Sequence, residues 1–345
     1  MCGIFGVASN KLQEFPIKAF TDVLSHRGPD ASGYYSDENV SLGHRRLSII
    51  DLEGGHQPLF NTDESVGIVF NGEIYNFLEL KDILIKKGCS FSTKSDTEVI
   101  LQAYEEWGEK CVDYLRGMFA FAIWDKNNRT LFIARDRLGI KLLFYAEHSG
   151  LFYFSSEIKA IIADKKFPRD IDEKAVASYF TLSYIPAPLT IYSKIRKLLP
   201  GHTLTWKDGK ITIKQYWDIH FIPDRSKSED YFIEGFMDVF KDSVRIHLIS
   251  DVPLGAFLSG GVDSSAIVAL LSDITATPVN TFCMGFGGNT GGYLDARVYA
   301  DMVAKRYQTN HQQIEVKQSL TGILDKNVNA LDDPFADDSC LPSYF

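Results

Sequence analysis

Met1-Cys2-Gly3-Ile4-Phe5-Gly6-Val7 opens the chain and governs how the remainder is read. Removal of Met1 would leave Cys2 carrying both a nucleophile and a base. A cysteine thiol has a reference pKa of about 8.5 and an α-amine one of about 7.7–8.0, so a freed amine is readily deprotonated near neutral pH. That amine can take the thiol proton directly or through one water, and no histidine is needed. N-terminal threonine nucleophiles use the same device. The run Ile4-Phe5-Gly6-Val7 reads as a buried strand that would fix the terminus in place. Many chains begin Met-Cys, so the rest of the sequence has to supply what such a nucleophile needs.

The chain has 345 residues, more than one ordinary domain holds, and two domains are expected. It is 45% hydrophobic and 13% aromatic, enough to bury real cores. A net charge of −9 argues against a nucleic-acid surface. No apolar run reaches the roughly 18 residues of a membrane span. Lys11, Glu14 and Lys18 interrupt the start, so no signal peptide is expected. Cys2, Cys89, Cys111, Cys283 and Cys340 are scattered, with no C-x-x-C pair and no zinc spacing. Free thiols in a reducing cytoplasm are the simplest expectation.

Strand-like and helix-like pieces alternate through the first half. Residues 16–25 predict a short helix, followed by the polar loop Ser25-His26-Arg27-Gly28-Pro29-Asp30, in which Gly-Pro marks a turn close to any site. Val40 to Asp51 is strand-like, interrupted by Arg45 and Arg46. A guanidinium can grip a carboxylate through two parallel hydrogen bonds, although an exposed strand arginine is usually just solvated. Val66 to Phe70 is an apolar strand that runs into Asn71-Gly72-Glu73-Ile74-Tyr75-Asn76. Asn-Gly between apolar runs signals a hairpin turn. The same pair also offers an amide and a glycine N–H as donors for the tetrahedral intermediate of thiolate attack on an amide.

A helix from Phe77 to Lys87 would bury Phe77, Leu80, Ile83 and Leu84 and stop at Gly88. Ser95-Asp96-Thr97-Glu98 has capping-box spacing and opens a second helix, stopped by Gly108. Asp96 there either favours the helix N-terminus or meets a ligand ammonium. Met118–Trp124 and Thr130–Ala134 predict a hairpin, and Arg135 to Ile140 a loop of structural ion pairs.

Cys2-Gly3-Ile4-Phe5-Gly6, His26-Arg27-Gly28-Pro29-Asp30, Arg46-Leu47-Ser48-Ile49, Asn71-Gly72-Glu73-Ile74-Tyr75-Asn76, Ser95-Asp96-Thr97-Glu98 and Gly117-Met118-Phe119-Ala120-Phe121 occur together and in order. In that combination the chain resembles the class II glutamine amidotransferase domain of the glutamine-hydrolysing asparagine synthetases. The resemblance implies an α+β N-terminal-nucleophile hydrolase, a four-layer αββα sandwich. It implies that Cys2 attacks the glutamine amide with its α-amine as base, and that Asn71 and Gly72 hold the oxyanion. Arg46 would bind the substrate α-carboxylate, and Glu73 and Asp96 the α-ammonium. Backbone at Leu47, Ser48, Ile49 and Ile50 would line the pocket. The family usually has proline after the lysine of the segment matching Leu138-Gly139-Ile140-Lys141; Leu142 stands there instead.

The amidotransferase part is expected over residues 1–217, a polar linker over 218–228, and a second domain over 229–345. Phe232, Phe236, Phe240 and Val244 repeat at four along a helix from Glu229 to Leu248 and predict a buried stripe. Val252 to Leu258 reads as a strand, followed by Ser259-Gly260-Gly261-Val262-Asp263-Ser264-Ser265 and another helix. Such a loop turns backbone N–H groups and hydroxyls toward an anion at a helix N-terminus. It is not a Walker A loop, because no Gly-Lys-Ser/Thr follows. It resembles the pyrophosphate loop of ATP pyrophosphatases.

By that resemblance Ser259 to Ser265 hold the triphosphate of ATP, Asp263 and Asp295 lie near Mg²⁺, and Leu258 and Met284 contact the adenosine. Alternating strands and helices imply a parallel, ATP-pyrophosphatase-like sheet. The acidic run Asp332 to Ser339 is either solvated or near the acceptor. No S-G-x-G-x-D-E segment precedes Phe345, so this second domain is expected to be incomplete.

The whole is expected to be a cytoplasmic asparagine synthetase acting on glutamine, aspartate and ATP, with a homodimer as the assembly the resemblance suggests and neither nucleic acid nor membrane as partner. In this chain the glutaminase half-reaction is the part expected to survive. Two rivals remain: another carboxylate acceptor in the same chemistry, and a non-catalytic nucleotide-binding module that retains Met1.

Overall fold

The computed structural model describes residues 1–286, 297–316, 320–337 and 340. Its contacts separate two units, Met1–His220 with Asp332–Phe335, and Phe221–Leu331 with Ala336–Phe345.

The first unit holds two six-stranded antiparallel sheets. One contains β1 (Gly3–Ala8), β2 (Ala31–Ser36), β3 (Val40–Arg46), β8 (Phe144–His148), β9 (Leu151–Ser155) and β10 (Ile195–Lys197), in the order β10-β8-β9-β1-β3-β2. The other contains β4 (Leu59–Phe60), β5 (Val66–Ile74), β6 (Gly117–Asp125), β7 (Thr130–Arg135), β11 (His202–Lys207) and β12 (Lys210–Gln215), in the order β12-β11-β7-β6-β5-β4. The helices of this unit are α1 (Ile17–Asp22), α2 (Phe77–Lys86), α3 (Asp96–Trp107), α4 (Cys111–Tyr114), α5 (Ile158–Ile161) and α6 (Glu173–Leu182).

Side chains alternate across a strand, so β1 serves two cores at once. Ile4 and Ala8 face inward and pack with Val69, Ala120, Trp124 and Ile133 of the opposite sheet. Phe5 and Val7 face outward and pack with Ile17, Leu24, Ile158 and Ile161 of the helical layer. Val99, Ile100 and Ala103 of α3 are buried on the far side of the second sheet, where Tyr104 stacks on Phe132 at 5.6 Å. The result is the expected αββα sandwich.

The second unit contains α7 (Glu229–Ile246), α8 (Val262–Ile274), α9 (Arg297–Tyr307) and α10 (Leu320–Ala330). Its parallel sheet runs β13 (Gly255–Phe257), β14 (Asn280–Phe286), β15 (Asn310–Val316). Leu258, Val268, Cys283, Ala300 and Ala304 form its small core. No helix among the described residues is long and apolar enough to cross a membrane, and all five cysteines are free thiols.

Several local expectations are corrected. Strand β3 stops at Arg46, and Leu47 to Ile50 leave the sheet. Asn71-Gly72 is no hairpin turn; it lies inside β5, which continues to Ile74. Ile83 is 45% exposed, because the buried face of α2 is only Phe77, Leu80 and Leu84. The capping box is half formed. Ser95 Oγ accepts from Thr97 N at 3.2 Å, but Glu98 is drawn to the preceding loop, where it accepts from the N–H and hydroxyl groups of Ser92 and Thr93. The aromatic stripe of α7 is not buried along its length. Val244 is, whereas Phe232 and Phe236 are 49% and 64% exposed and, among the described residues, keep ring contacts only with Tyr231 and Phe240 of the same helix. The predicted strand over Val252–Leu258 shrinks to Gly255–Phe257.

The charged loop after β7 is structural, as expected, but it works through backbone rather than ion pairs. The Asp136 carboxylate accepts from the N–H groups of Phe119 (3.1 Å), Leu138 (3.1 Å), Ile140 (2.9 Å) and Lys141 (2.9 Å). The Arg135 guanidinium donates to the carbonyls of Lys141, Gly139 and Leu198. Asp136→Ala would strand four backbone donors. At about 1–3 kcal/mol for each buried donor left unpaired, the first unit should lose at least about 3 kcal/mol, read as an earlier urea-unfolding midpoint for its transition.

Candidate active site

Cys2 stands at the entry to β1, and three contacts hold it. Its carbonyl accepts from Arg27 Nε at 2.9 Å, while its sulfur accepts from Leu47 N at 3.4 Å and donates to Leu47 O at 3.6 Å. Arg27 is held in turn by Glu157 at 2.8 Å, and Glu157 also pairs with His26 at 2.9 Å and Lys159 at 2.6 Å. Burial works to raise the Glu157 pKa, but hydrogen bonds from Lys159 and Arg27 outweigh it and hold the carboxyl below its usual range. The loop residues His26 and Arg27 thus act on the nucleophile's backbone. Burial pushes the Cys2 thiol up, partly offset by the Leu47 hydrogen bond. Met1 precedes Cys2, so the Cys2 nitrogen is an amide here and marks where a freed amine would stand. Burial is also the main cause that lowers the Met1 amine.

Cys2 opens onto a cavity of about 140 Å³ whose lining includes Arg46, Leu47, Ile49, Ile50, Asn71, Gly72, Glu73 and Asp96. Of the residues expected here only Ser48 is missing from the wall; its N–H goes to Asp30 at 2.8 Å. The site is therefore assembled from β1, the end of β3 and its loop, β5 and the start of α3.

The edge of β5 explains how the donors are presented. Phe119, the partner of Gly72 on β6, sends its N–H and its carbonyl to Asp136 on the far side, so Gly72 N–H points away from β6. Along that free edge Phe70 N donates to Gln57 Oε1 at 2.6 Å, and Ile74 N donates to Asp96 Oδ2 at 3.0 Å. With a two-residue period, Gly72 N–H lies between them and faces the cavity. A side chain at residue 72 would put a Cβ 2.1 Å from Met118 O, so only glycine fits. The Asn71 side chain is 1% exposed, and neither its Nδ2 nor its Oδ1 has a partner in the structure. His44, kept neutral by burial with a pKa of about 3, donates from Nε2 to Phe70 O at 3.0 Å and steadies this strand.

Glu73 and Asp96 share the cavity. Burial, followed by repulsion from Asp96, pushes Glu73 up to about 8. Burial pushes Asp96 up to about 6 against hydrogen bonds from the backbone of Ile74, Thr97 and Asp96 itself and from the Ser95 side chain. Arg46 is 5% exposed, and its guanidinium is committed to the loop that follows β3. Nη1 donates to Leu52 O at 3.0 Å, and Nη2 to Ile50 O at 3.1 Å and Asp51 O at 2.6 Å. Gln57 and Lys141 are among the wall residues that were not anticipated. Gln57 buttresses β5 and Thr97. Lys141 enters from the Asp136 turn, where the match Leu138-Gly139-Ile140-Lys141 was the only available signal.

In the second unit, the loop from Ser259 to Gly261 leads from β13 into α8. Gly260 has φ +79°, a left-handed conformation that glycine adopts without strain. Gly261 is the N-cap, and α8 has no side-chain cap bond. Ser259 Oγ and Ser264 Oγ lie 3.0 Å apart. Val262 is 85% exposed, Ser265 and Met284 are half-buried, and Asp263 lies in the first turn of α8. Leu258 lies in the core, so only its backbone can face a ligand. Asp295 lies outside the described residues. Among those described, no group of three or more acidic, histidine or cysteine side chains could hold a metal. A single carboxylate beside open N–H groups fits magnesium carried on phosphates, since that ion takes one or two carboxylates and the substrate's oxygens. A larger cavity of about 710 Å³ in this unit is lined mainly by apolar side chains and includes no residue of the loop.

In the first unit, the acidic run does not lie free. Asp332 pairs with Lys159 at 3.0 Å, and Asp333 pairs with Lys197 at 2.8 Å. Asp338 and Ser339 lie outside the described residues.

Residues 1–217 match the glutamine amidotransferase domain family, and residues 235–345 match the asparagine synthase family. Asparagine synthetase [glutamine-hydrolyzing] 1 of Bacillus subtilis (strain 168) is 41% identical over 352 residues, covering 100% of this chain and 55% of that protein. A Methanocaldococcus jannaschii protein, provisionally named asparagine synthetase [glutamine-hydrolyzing] 2, is 37% identical, covering 100% of this chain and 70% of its own length. Asparagine synthetase [glutamine-hydrolyzing] 3 of Bacillus subtilis is 42% identical over 277 residues, 78% of this chain and 45% of that protein. The chain thus spans about half the length of the two Bacillus relatives. A thiol sharing a cavity with a buried unpartnered amide, and a glycine-serine loop opening a helix, sit within the spans these families match: the chain belongs to the glutamine-hydrolysing asparagine synthetase family.

Proposed function

We propose that the first unit hydrolyses glutamine to glutamate and ammonia, with Cys2 as nucleophile once Met1 is removed. The observation that carries this is Asn71, a buried amide with no partner, facing the same cavity as the Cys2 sulfur and the Gly72 N–H. An unmade hydrogen bond of that kind costs about 1–3 kcal/mol in the empty protein. It is recovered when charge develops on a bound oxygen.

The α-amine takes the thiol proton and the sulfur attacks the side-chain amide carbon. The carbonyl π electrons move to oxygen, where Asn71 Nδ2 and Gly72 N stabilise them. Collapse expels ammonia with the proton returned by the amine, leaving a glutamyl thioester that water cleaves to glutamate and free Cys2. Glu73 and Asp96 receive the substrate α-ammonium. Arg46, together with backbone at Leu47, Ile49 and Ile50, receives the α-carboxylate end.

The second unit carries the site for ATP at Ser259 to Ser265, with Asp263 toward Mg²⁺, which when bound would neutralise phosphate charge. The full reaction joins the aspartate β-carboxylate to AMP with release of pyrophosphate. Ammonia then displaces AMP to give asparagine. Nucleotide binding by the chain tests this half: ATP with magnesium should raise the unfolding temperature of the second unit, and no shift at millimolar ATP would sink the assignment of Ser259 to Ser265.

Three outcomes test the glutaminase reading. Cys2→Ala should abolish glutamate release while leaving nucleotide binding unchanged, and intact mass should show a chain that starts at Cys2. Asn71→Ala should lower kcat by about 10²–10³ with little change in KM, the signature of a donor used only in the transition state. The third concerns pH. Glu73 has a raised pKa, so it is neutral below about pH 8 and accepts an ammonium only when ionised. KM for glutamine should therefore rise as pH falls from about 8 toward 6, where Asp96 also begins to protonate. In the same window the folded state holds a proton that the unfolded chain has released, so Glu73 costs stability as pH rises. Glu73→Gln should raise the Tm of the first unit more at about pH 8 than at about pH 5.

A further inference from the structure

Lys141 belongs to the site, yet none of the chemistry above uses it. Its side chain is 5% exposed and lines the cavity shared by Cys2, Asn71, Gly72 and Glu73. Its backbone is fixed on both sides, with N–H to Asp136 Oδ2 at 2.9 Å and the carbonyl accepting from Arg135 Nε at 2.7 Å. A rigid turn thus aims a flexible cation at one place. Other largely buried lysines of the first unit are paired: Lys159 with Glu157 and Asp332 at 2.6 and 3.0 Å, Lys197 with Asp333 at 2.8 Å. No hydrogen bond or ion pair reaches the Lys141 ammonium among the described residues. An ammonium that lines a cavity on a largely buried stem, without a hydrogen-bonded partner, does little for the fold.

Resting on the reading of Cys2 as nucleophile, we propose that Lys141 is a positioning residue for charge: its ammonium favours the thiolate of Cys2 and the unprotonated form of the adjacent amine. The groups that face it are the Met1 amine and Cys2 at the start of β1, Glu73 on β5, Arg27 from the loop after α1, and Asp136 in its own turn. Burial weakens the Lys141 charge most, and Glu73 is the largest opposing influence. Lys141 lowers the Met1 amine, which stands one residue from the nitrogen that would be freed, and its own state responds to charge on Cys2. A positive charge near a thiol and an amine favours the reactive form of both, since one becomes an anion and the other loses a cation. This is work that no carboxylate of the cavity can do. Arg46, the other side-chain cation in the wall, also favours the Cys2 thiolate, but its Nη2 protons are tied to Ile50 O and Asp51 O, whereas the Lys141 ammonium is not committed to the backbone.

The test uses the full chain with Lys141→Met, Lys141→Gln and Lys141→Arg, and two readouts. One is the pH profile of kcat/KM for glutamine hydrolysis. The other is the pH dependence of Cys2 alkylation by iodoacetamide, normalised to the unfolded chain, which needs no turnover. In Lys141→Met and Lys141→Gln the acid limb and the alkylation midpoint should both move up by about one pH unit, and Lys141→Arg should return them most of the way. Thermal unfolding of the two neutral variants should hold or improve. Unmoved midpoints in a folded neutral variant, an equal shift in Lys141→Arg, or a rise in KM alone would overturn the proposal. A parent chain that starts at Cys2 and yet never hydrolyses glutamine would defeat the nucleophile reading, while the alkylation midpoints would still decide the role of Lys141.

Discussion

The structure depends on how the first residues are tethered. β1 lies between β3 and β9, inside a six-stranded sheet, with one face in each of two cores. A chain terminus normally frays because few contacts oppose its entropy. Here Ile4 N donates to Ser156 Oγ at 3.0 Å, and Arg27 grips the Cys2 carbonyl under the control of Glu157. Fixing a backbone residue costs about 1–2 kcal/mol of conformational entropy. The sandwich supplies that and leaves Cys2 on the cavity that β5 also lines. Catalysis by a terminal amine and thiol needs such immobility, because an oxyanion donor is effective only within about 2.7–3.1 Å of the developing charge.

The wall of the cavity shows the opposite economy. Asn71 has no partner, Glu73 and Asp96 are carboxyls held above their usual range, and Lys141 is a cation without a mate. Each choice works against the fold, and together they are the groups that the proposed substrate, a zwitterion with a side-chain amide, would meet. Protein interiors seldom tolerate this many unmet polar groups unless a ligand meets them. The larger apolar cavity of the second unit, by contrast, has no comparable set of convergent polar groups.

The sandwich and most of the wall were legible in the sequence because they rest on strand periodicity and on short segments whose residue types are chemically constrained. Cys2, Asn71, Gly72, Glu73 and Asp96 converge as the resemblance implied. The failures have specific causes. Asn-Gly carries a strong turn propensity, yet the ladder with β6 continues through it, so tertiary pairing overrode local preference. Glu98 had the spacing of a capping partner but was captured by the loop at Ser92 and Thr93. Lys141 was invisible as a site residue because its position depends on four backbone hydrogen bonds to Asp136, a feature that sequence spacing does not encode. The stripe of α7 has the period of a buried face, and period says that a face is apolar without saying that anything lies upon it.

Arg46 has a further consequence. A carboxylate can meet a guanidinium in a two-pronged way either end-on, through Nη1 and Nη2, or side-on, through Nε and Nη2. Both approaches call on an Nη2 proton, and both of those protons already serve Ile50 O and Asp51 O. An amino acid that docks with a full fork must therefore unfasten the segment between Leu47 and Gly55 and let it settle anew around the ligand. A full fork at this end of the cavity would then be a change of partners within the protein rather than the filling of a ready-made socket.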